Sequence, residues 1–188
     1  VVNVPGFRAL ARNRDFTLLW WGDTVSELGA KVTGFAFPLV TYAVTGSVVA
    51  AAWVEAAFLL GWVGTLLPGG VIADRVDRQR LMRNASALGL LAAASLAVSA
   101  GLDALTLPHL MLAALAMGCA NGLMDPAQAS AIRTIVDQDD LPTALSQVQA
   151  RQHVASLAGG PLGGVLYTMS RWLPFAVDAV VMPSRSLP

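Results

Sequence analysis

The chain has 188 residues, of which 55% are apolar and 13% charged; soluble domains sit near 45–50% and 25%. A globule of this length has too little interior to hide so much apolar surface, so the excess must face lipid or a partner. Twelve basic residues balance twelve acidic ones, which gives no charge-based case for nucleic acid, and one cysteine, Cys119, excludes an internal disulfide.

Residues 1–15 read as a polar tail carrying Arg8, Arg12 and Arg14. A series of apolar runs follows, each near the ~20 residues needed to cross ~30 Å of hydrocarbon. The pattern predicts an all-α bundle over 16–182, with helices at about 16–42, 50–73, 81–101, 107–128 and 143–169 and a short one at 173–182. Ten residues cannot span a bilayer, so the sixth helix reads as truncated and 183–188 as an aberrant tail. The first run is not a secretory signal, because Asp23, Glu27 and Lys31 interrupt a stretch much longer than a signal core.

The arginines set the expected orientation. Arg8, Arg12 and Arg14 precede the first run, Arg75, Arg78, Arg80 and Arg83 separate the second and third, and Arg133 separates the fourth and fifth. The alternate connections are nearly bare, with Arg171 the exception, so the amino terminus is expected in the cytoplasm. Asp137, Asp139 and Asp140 fall on the same side and do not count against a rule that concerns Lys and Arg.

Polar residues within the runs are the candidate sites, because an ionised group in hydrocarbon is costly unless paired or wetted. Asp23, Glu27 and Lys31 recur every four residues and share one helical stripe, with Glu27 and Lys31 in the favourable order for an ion pair. Glu55 stands alone near the outer end of the second run, and Asn121 and Asp125 share a face near the inner end of the fourth. Arg151 enters the fifth run at a depth close to that of Asp23 and Glu27, either of which is a candidate partner. The Asp23, Glu27 and Lys31 stripe reads either as a structural ladder or as a cavity wall for substrate or protons, Glu55 as an isolated proton site or a wet structural position, and Asn121 and Asp125 as gate or cap residues rather than substrate ligands. His153 and His109 read as packing and interfacial residues, and the tryptophans as anchors or packing. The run Gly159, Gly160, Pro161, Leu162, Gly163, Gly164 predicts a bend or a tight helix contact.

Other chemistry finds no support. There is no phosphate-cradling Gly-x-x-x-x-Gly-Lys loop, the two histidines are too scattered for a metal, and no nucleophile elbow is present. An enzyme, a cofactor and a metal are therefore not expected.

The segment Gly70-Val-Ile-Ala-Asp74-Arg75-Val-Asp-Arg78-Gln-Arg80 resembles the signature loop of the major facilitator superfamily between its second and third helices. Asp77 and Gln79 depart from that pattern, and the Asp-Arg-x-Asp-Arg form is similar to the branch of enterobactin exporters and macrolide efflux proteins. Leu19-Trp-Trp-Gly22, Thr45-Gly-Ser47 and Leu173-Pro-Phe-Ala-Val-Asp178 resemble the same branch, and the glycine–proline run resembles the fifth-helix motif of drug–proton antiporters with its proline displaced by one. The resemblance implies a six-helix half of a polytopic membrane transporter, with Asp74 pairing to an arginine of a carboxyl-terminal half absent here. It further implies proton-coupled efflux of a small amphipathic compound across the inner or plasma membrane, with lipid, substrate and protons as partners. The alternative is a half-transporter that carries nothing, or a membrane scaffold.

Overall fold

The computed structural model describes residues 14–75, 78–135 and 141–181. Every element among them is a helix: α1 (Arg14–Thr45), α2 (Val48–Arg75), α3 (Arg78–Gly101), α4 (Leu107–Ile135), α5 (Leu141–Met169) and α6 (Leu173–Val181). An all-helical chain is what lipid demands, because a helix satisfies its backbone groups internally. At 1.5 Å per residue, α1 reaches about 48 Å and the next four helices about 36–44 Å, more than the hydrocarbon thickness. The fold is that of an all-α polytopic membrane protein.

The stretches 48–66, 80–101 and 107–126, in α2, α3 and α4, combine that length with sufficient apolarity. Of the five complete spans expected, these three meet both measures among the described residues. The other two, α1 and α5, have the length but dilute their apolar runs with polar groups. Glu27 and Lys31 do so in α1, and Gln147, Gln149, Arg151, Gln152 and His153 in α5. The helix ends extend a few residues past the sequence bounds, which places Arg133 inside α4 and Asp74 and Arg75 in the last turn of α2. Residues 183–188 and the acidic group Asp137, Asp139 and Asp140 lie outside the described residues, as does most of the amino-terminal tail.

Local chemistry sets the turns. Gly46 adopts φ 67°, the left-handed conformation that ends α1, and its N–H donates to the Tyr42 carbonyl at 2.7 Å. Ser47 then caps α2, its Oγ accepting from the Ala50 N–H at 3.3 Å. Pro108 and Pro174 stand in the first turns of α4 and α6, where a missing N–H costs nothing. Pro38, Pro68, Pro126 and Pro161 are interior to α1, α2, α4 and α5.

The apolar core is displaced toward one end of the bundle. Ala36, Phe37 and Val40 of α1, Val54 of α2, Ala92, Ala93 and Leu96 of α3, Leu110, Ala113, Ala114 and Met117 of α4, and Phe175 of α6 form one buried cluster. All lie within about ten residues of the end that holds the α1–α2 turn. Phe37 and Phe175 meet edge to face with ring centroids 5.5 Å apart. Next to them Thr33 Oγ1 donates to the Pro174 carbonyl at 3.2 Å, pinning α6 to α1.

The most extensive packing joins α2 to α4, and it is made by glycine. A Cβ on Gly118 would overlap the Phe58 carbonyl, one on Gly61 the Leu115 carbonyl, and one on Gly122 the Trp62 carbonyl and the Thr65 hydroxyl. Gly69 continues the seam, 3.1 Å from the Gly122 carbonyl at its Cβ position. Gly118 and Gly122 form a Gly-x-x-x-Gly pair on α4, and Gly61, Thr65 and Gly69 supply small residues at the same spacing on α2, so the backbones touch directly.

Gly118→Ala should therefore lower the melting temperature of the detergent-solubilised protein by roughly 5 °C, despite alanine's better helix propensity. Gly64→Ala, where no atom lies within 4 Å, should leave it within about 1 °C. Thermal unfolding of both variants beside the parent checks the contrast.

Candidate functional site

The polar residues of α1 and α5 come together because those two helices pack along one another through the glycine–proline run. A Cβ at Gly159 would meet the Lys31 Cβ at 2.5 Å, and one at Gly163 would sit 3.0 Å from the Val32 carbonyl and 3.3 Å from the Phe35 Cβ. Gly160 and Gly164 lie under the Phe35 ring at 3.7 Å. Both glycine pairs of α5 thus receive one turn of α1, and Pro161 between them is exposed.

This contact fixes a parallel register. Residue 31 stands opposite 159 and residue 35 opposite 163, so the same offset carried two turns back places 23 at the level of 151. Arg151 is buried, with 8% exposure, on a helix whose neighbours Gln152, His153 and Val154 are exposed. The Asp23 side chain lies outside the described residues. Glu27, one turn further along, pairs with Lys31 at 3.4 Å. The Lys31 stem packs on Gly159, and the Lys31 side chain is 42% exposed and that of Glu27 18%. The pair keeps the stripe locally neutral, which lowers the cost of holding two charges on one helix face.

The second group lies on α2 and α4. Trp62 Nε1 donates to Asp125 Oδ2 at 2.8 Å on the exposed side of the glycine seam. Asn121 Nδ2 donates to the Met117 carbonyl of its own helix at 2.8 Å. Thr65 Oγ1 bonds the Gly61 carbonyl at 2.7 Å and reaches across to the Cys119 carbonyl at 3.2 Å. Trp62, read from sequence as an anchor or packing residue, is instead a hydrogen-bond donor between helices. His109, read as interfacial, meets Ser95 Oγ through Nε2 at 3.1 Å and so links α4 to α3.

Glu55 stands apart from both groups, exposed on α2. Gly70 lies near the end of the seam and Asp74 closes α2, whereas the side chains of Asp74, Arg75 and Arg78 lie outside the described residues. Arg80 is exposed in the first turn of α3. Sequence reasoning passed over Asp178, whose carboxylate belongs to a residue 2% exposed on α6 between α1 and α3. Its signal was a charge inside an apolar run, and sequence reasoning used it only as the last residue of the Leu173–Asp178 motif. It also passed over Gly118 and Gly122, legible as a Gly-x-x-x-Gly motif.

Residues 7–183 fit the family described as transmembrane secretion effector. The chain belongs to that family of the major facilitator superfamily. No curated protein matches the sequence. Membership makes the chain a membrane transport protein, and it places the α1–α5 stripe and the α2–α4 seam in a transporter framework.

Gly159→Ala should separate α1 from α5 and reduce the yield of monodisperse protein in detergent several-fold, whereas Gly160→Ala, in ordinary contact with a ring edge, should leave it unchanged. Size-exclusion chromatography of both variants reads the difference.

Proposed function

We propose that the protein exports a small amphipathic compound by alternating access, coupled to proton entry across the cell membrane, with its amino terminus in the cytoplasm. The observation that carries this reading is the charged stripe on α1 and α5, two helices long enough to reach through the hydrocarbon. Glu27, Lys31 and the buried Arg151 sit on two helices held together by glycine, in a family of transport proteins. Ionised groups at that depth are retained where they face water, substrate or one another.

In this reading Asp23, Glu27 and Arg151 form the proton-sensitive wall of a cavity, and Lys31 neutralises Glu27 when no proton is bound. Proton binding drives transport only if one facing of the cavity holds the proton more tightly than the other. Asp74, Arg75, Arg78 and Arg80 serve as the gating loop, and Gly159 to Gly164 hold α5 to α1 during the motion. A second set of helices, outside this sequence, completes the cavity and supplies the partner of Asp74. The Arg-bearing ends of α2, α3 and α4 favour the cytoplasmic placement.

Flux into sealed vesicles tests the proposal. Purified protein reconstituted with an imposed pH gradient should move a fluorescent amphipathic amine dye faster than empty vesicles do. Glu27→Gln and Arg151→Gln should lose gradient-driven accumulation by at least about tenfold while retaining dye exchange at equal pH, and Asp74→Asn should slow both. Parent protein indistinguishable from empty vesicles would favour the alternative, a membrane scaffold that carries nothing. Full coupling in both glutamine variants would remove the stripe from the mechanism.

A further inference from the structure

Asp178 lies outside the α1–α5 stripe. It is 2% exposed on α6, a helix that packs on α1 and α3 and touches α5 only lightly. After the turn at 170–172, α6 runs back against α1, which lies parallel to α5. The Thr33–Pro174 bond sets the level of the two helices. Asp178 stands one turn, about 6 Å, further along α6, toward the lower-numbered end of α1.

Two buried hydroxyls border that position. Ser26 is seven residues before Thr33, so it shares the stripe that faces α6 and sits about 10 Å down it, close to one turn beyond Asp178. It is 1% exposed, and its Oγ has no hydrogen-bond partner among the described residues. On α3, Ser95 is turned to α4 through His109, and Ser86, nine residues earlier, projects from the opposite side of the helix. Apart from α4, the main packing neighbour of α3 is α6, so α6 is what buries Ser86 to 5% exposure. The Ser86 Oγ also has no partner among the described residues. Buried hydroxyls in this state are uncommon, and two of them aimed at the helix that carries a buried carboxyl group mark a place that takes up a small polar ligand.

Asp178 is itself engaged within this packing. Among the described residues, the faces that α1 and α3 turn to α6 carry no other ionisable group. Glu27 and Lys31 lie on the α5 side of α1, and Arg80 and Arg83 are exposed near the start of α3. From α5 and its turn come Tyr167, half-buried against the core more than two turns nearer the turn, and the exposed Arg171. Arg151 lies about two turns away in the other direction, at the level of residue 23. A hydroxyl donates to a carboxylate and, once rotated, accepts from a carboxyl group, so one set of hydroxyls suits both protonation states.

We propose that Asp178 is a proton-binding group enclosed by α1, α3 and α6, and that Ser26 and Ser86 serve it through water in both of its states. Uptake adds one proton from water to a carboxylate oxygen and leaves a neutral carboxyl group, and release returns that proton to water. The site is separate from the stripe of the transport reading above and does not depend on it.

Dicyclohexylcarbodiimide adds to a carboxyl group only when it is protonated, and in apolar surroundings it leaves a stable acylurea that is mapped by the mass of the peptide bearing it. The full chain in its membrane is treated at about pH 6 and about pH 9, a range that brackets a titrating group. Asp178 in the parent should carry at least about fivefold more adduct at the lower pH. Ser26→Ala combined with Ser86→Ala should raise the adduct at the higher pH about threefold, because the ionised form loses hydroxyls that donate to it. Ser95→Ala, whose hydroxyl is turned to α4, should match the parent. No adduct at either pH, equal adduct at both, or a serine pair indistinguishable from the parent would overturn the proposal. Each variant is first shown monodisperse in detergent, so misfolding is read separately. The adduct is measured whether or not the reconstituted parent moves dye, which keeps failure of the transport reading distinct from failure of this site.

Discussion

Lipid tails are as apolar as leucine, so helices in a bilayer gain little from hiding side chains from their solvent, and association depends on how closely two backbones can approach. Everything in this bundle follows from two places where that approach is allowed. Between α2 and α4 the absence of a Cβ at Gly61, Gly118 and Gly122 lets carbonyls of one helix rest against the other, and between α1 and α5 Gly159 and Gly163 do the same for Lys31, Val32 and Phe35. The remaining helices pack by ordinary means, through the ring pair of Phe37 and Phe175 and the alanine faces of α3 and α4.

Close approach also explains where the polar groups can survive. Lys31 can lay its stem on Gly159 only because no side chain occupies that space, and this brings its ammonium to within 3.4 Å of Glu27 while the side chain stays 42% exposed. The same register carries α5 past α1 so that positions 23 and 151 share a level. A small-residue motif and a charged stripe, which look unrelated in the sequence, are therefore one arrangement. The motif sets the spacing at which the stripe can interact.

Much of the fold was legible because its signals are local. Apolar runs give the helices, and Thr45-Gly46-Ser47 gives the first turn through one left-handed glycine and one serine cap. The Glu27–Lys31 pair needs only a four-residue spacing. What escaped depends on how helices cross. Nothing near Trp62 announces a partner sixty-three positions away, and the exposure of Glu55 is settled by which face of α2 the seam consumes. The burial of Asp178 follows from α6 lodging between α1 and α3, which the sequence of a short last helix does not announce. Gly118 and Gly122 were readable as a Gly-x-x-x-Gly motif, whereas the helix they pack on is set only by how the bundle assembles.

The uneven placement of the core gives the bundle leverage. Apolar side chains interlock near the α1–α2 turn, while the charged and glycine-packed segments extend away from it. A rotation of about 5° at the interlocked end would carry the other end of the 29-residue α5, about 43 Å distant, through roughly 4 Å. Repacking around Phe37 and Phe175 on that scale would be magnified into a displacement the width of an ion or a methyl group, provided each glycine-packed pair moves as a unit.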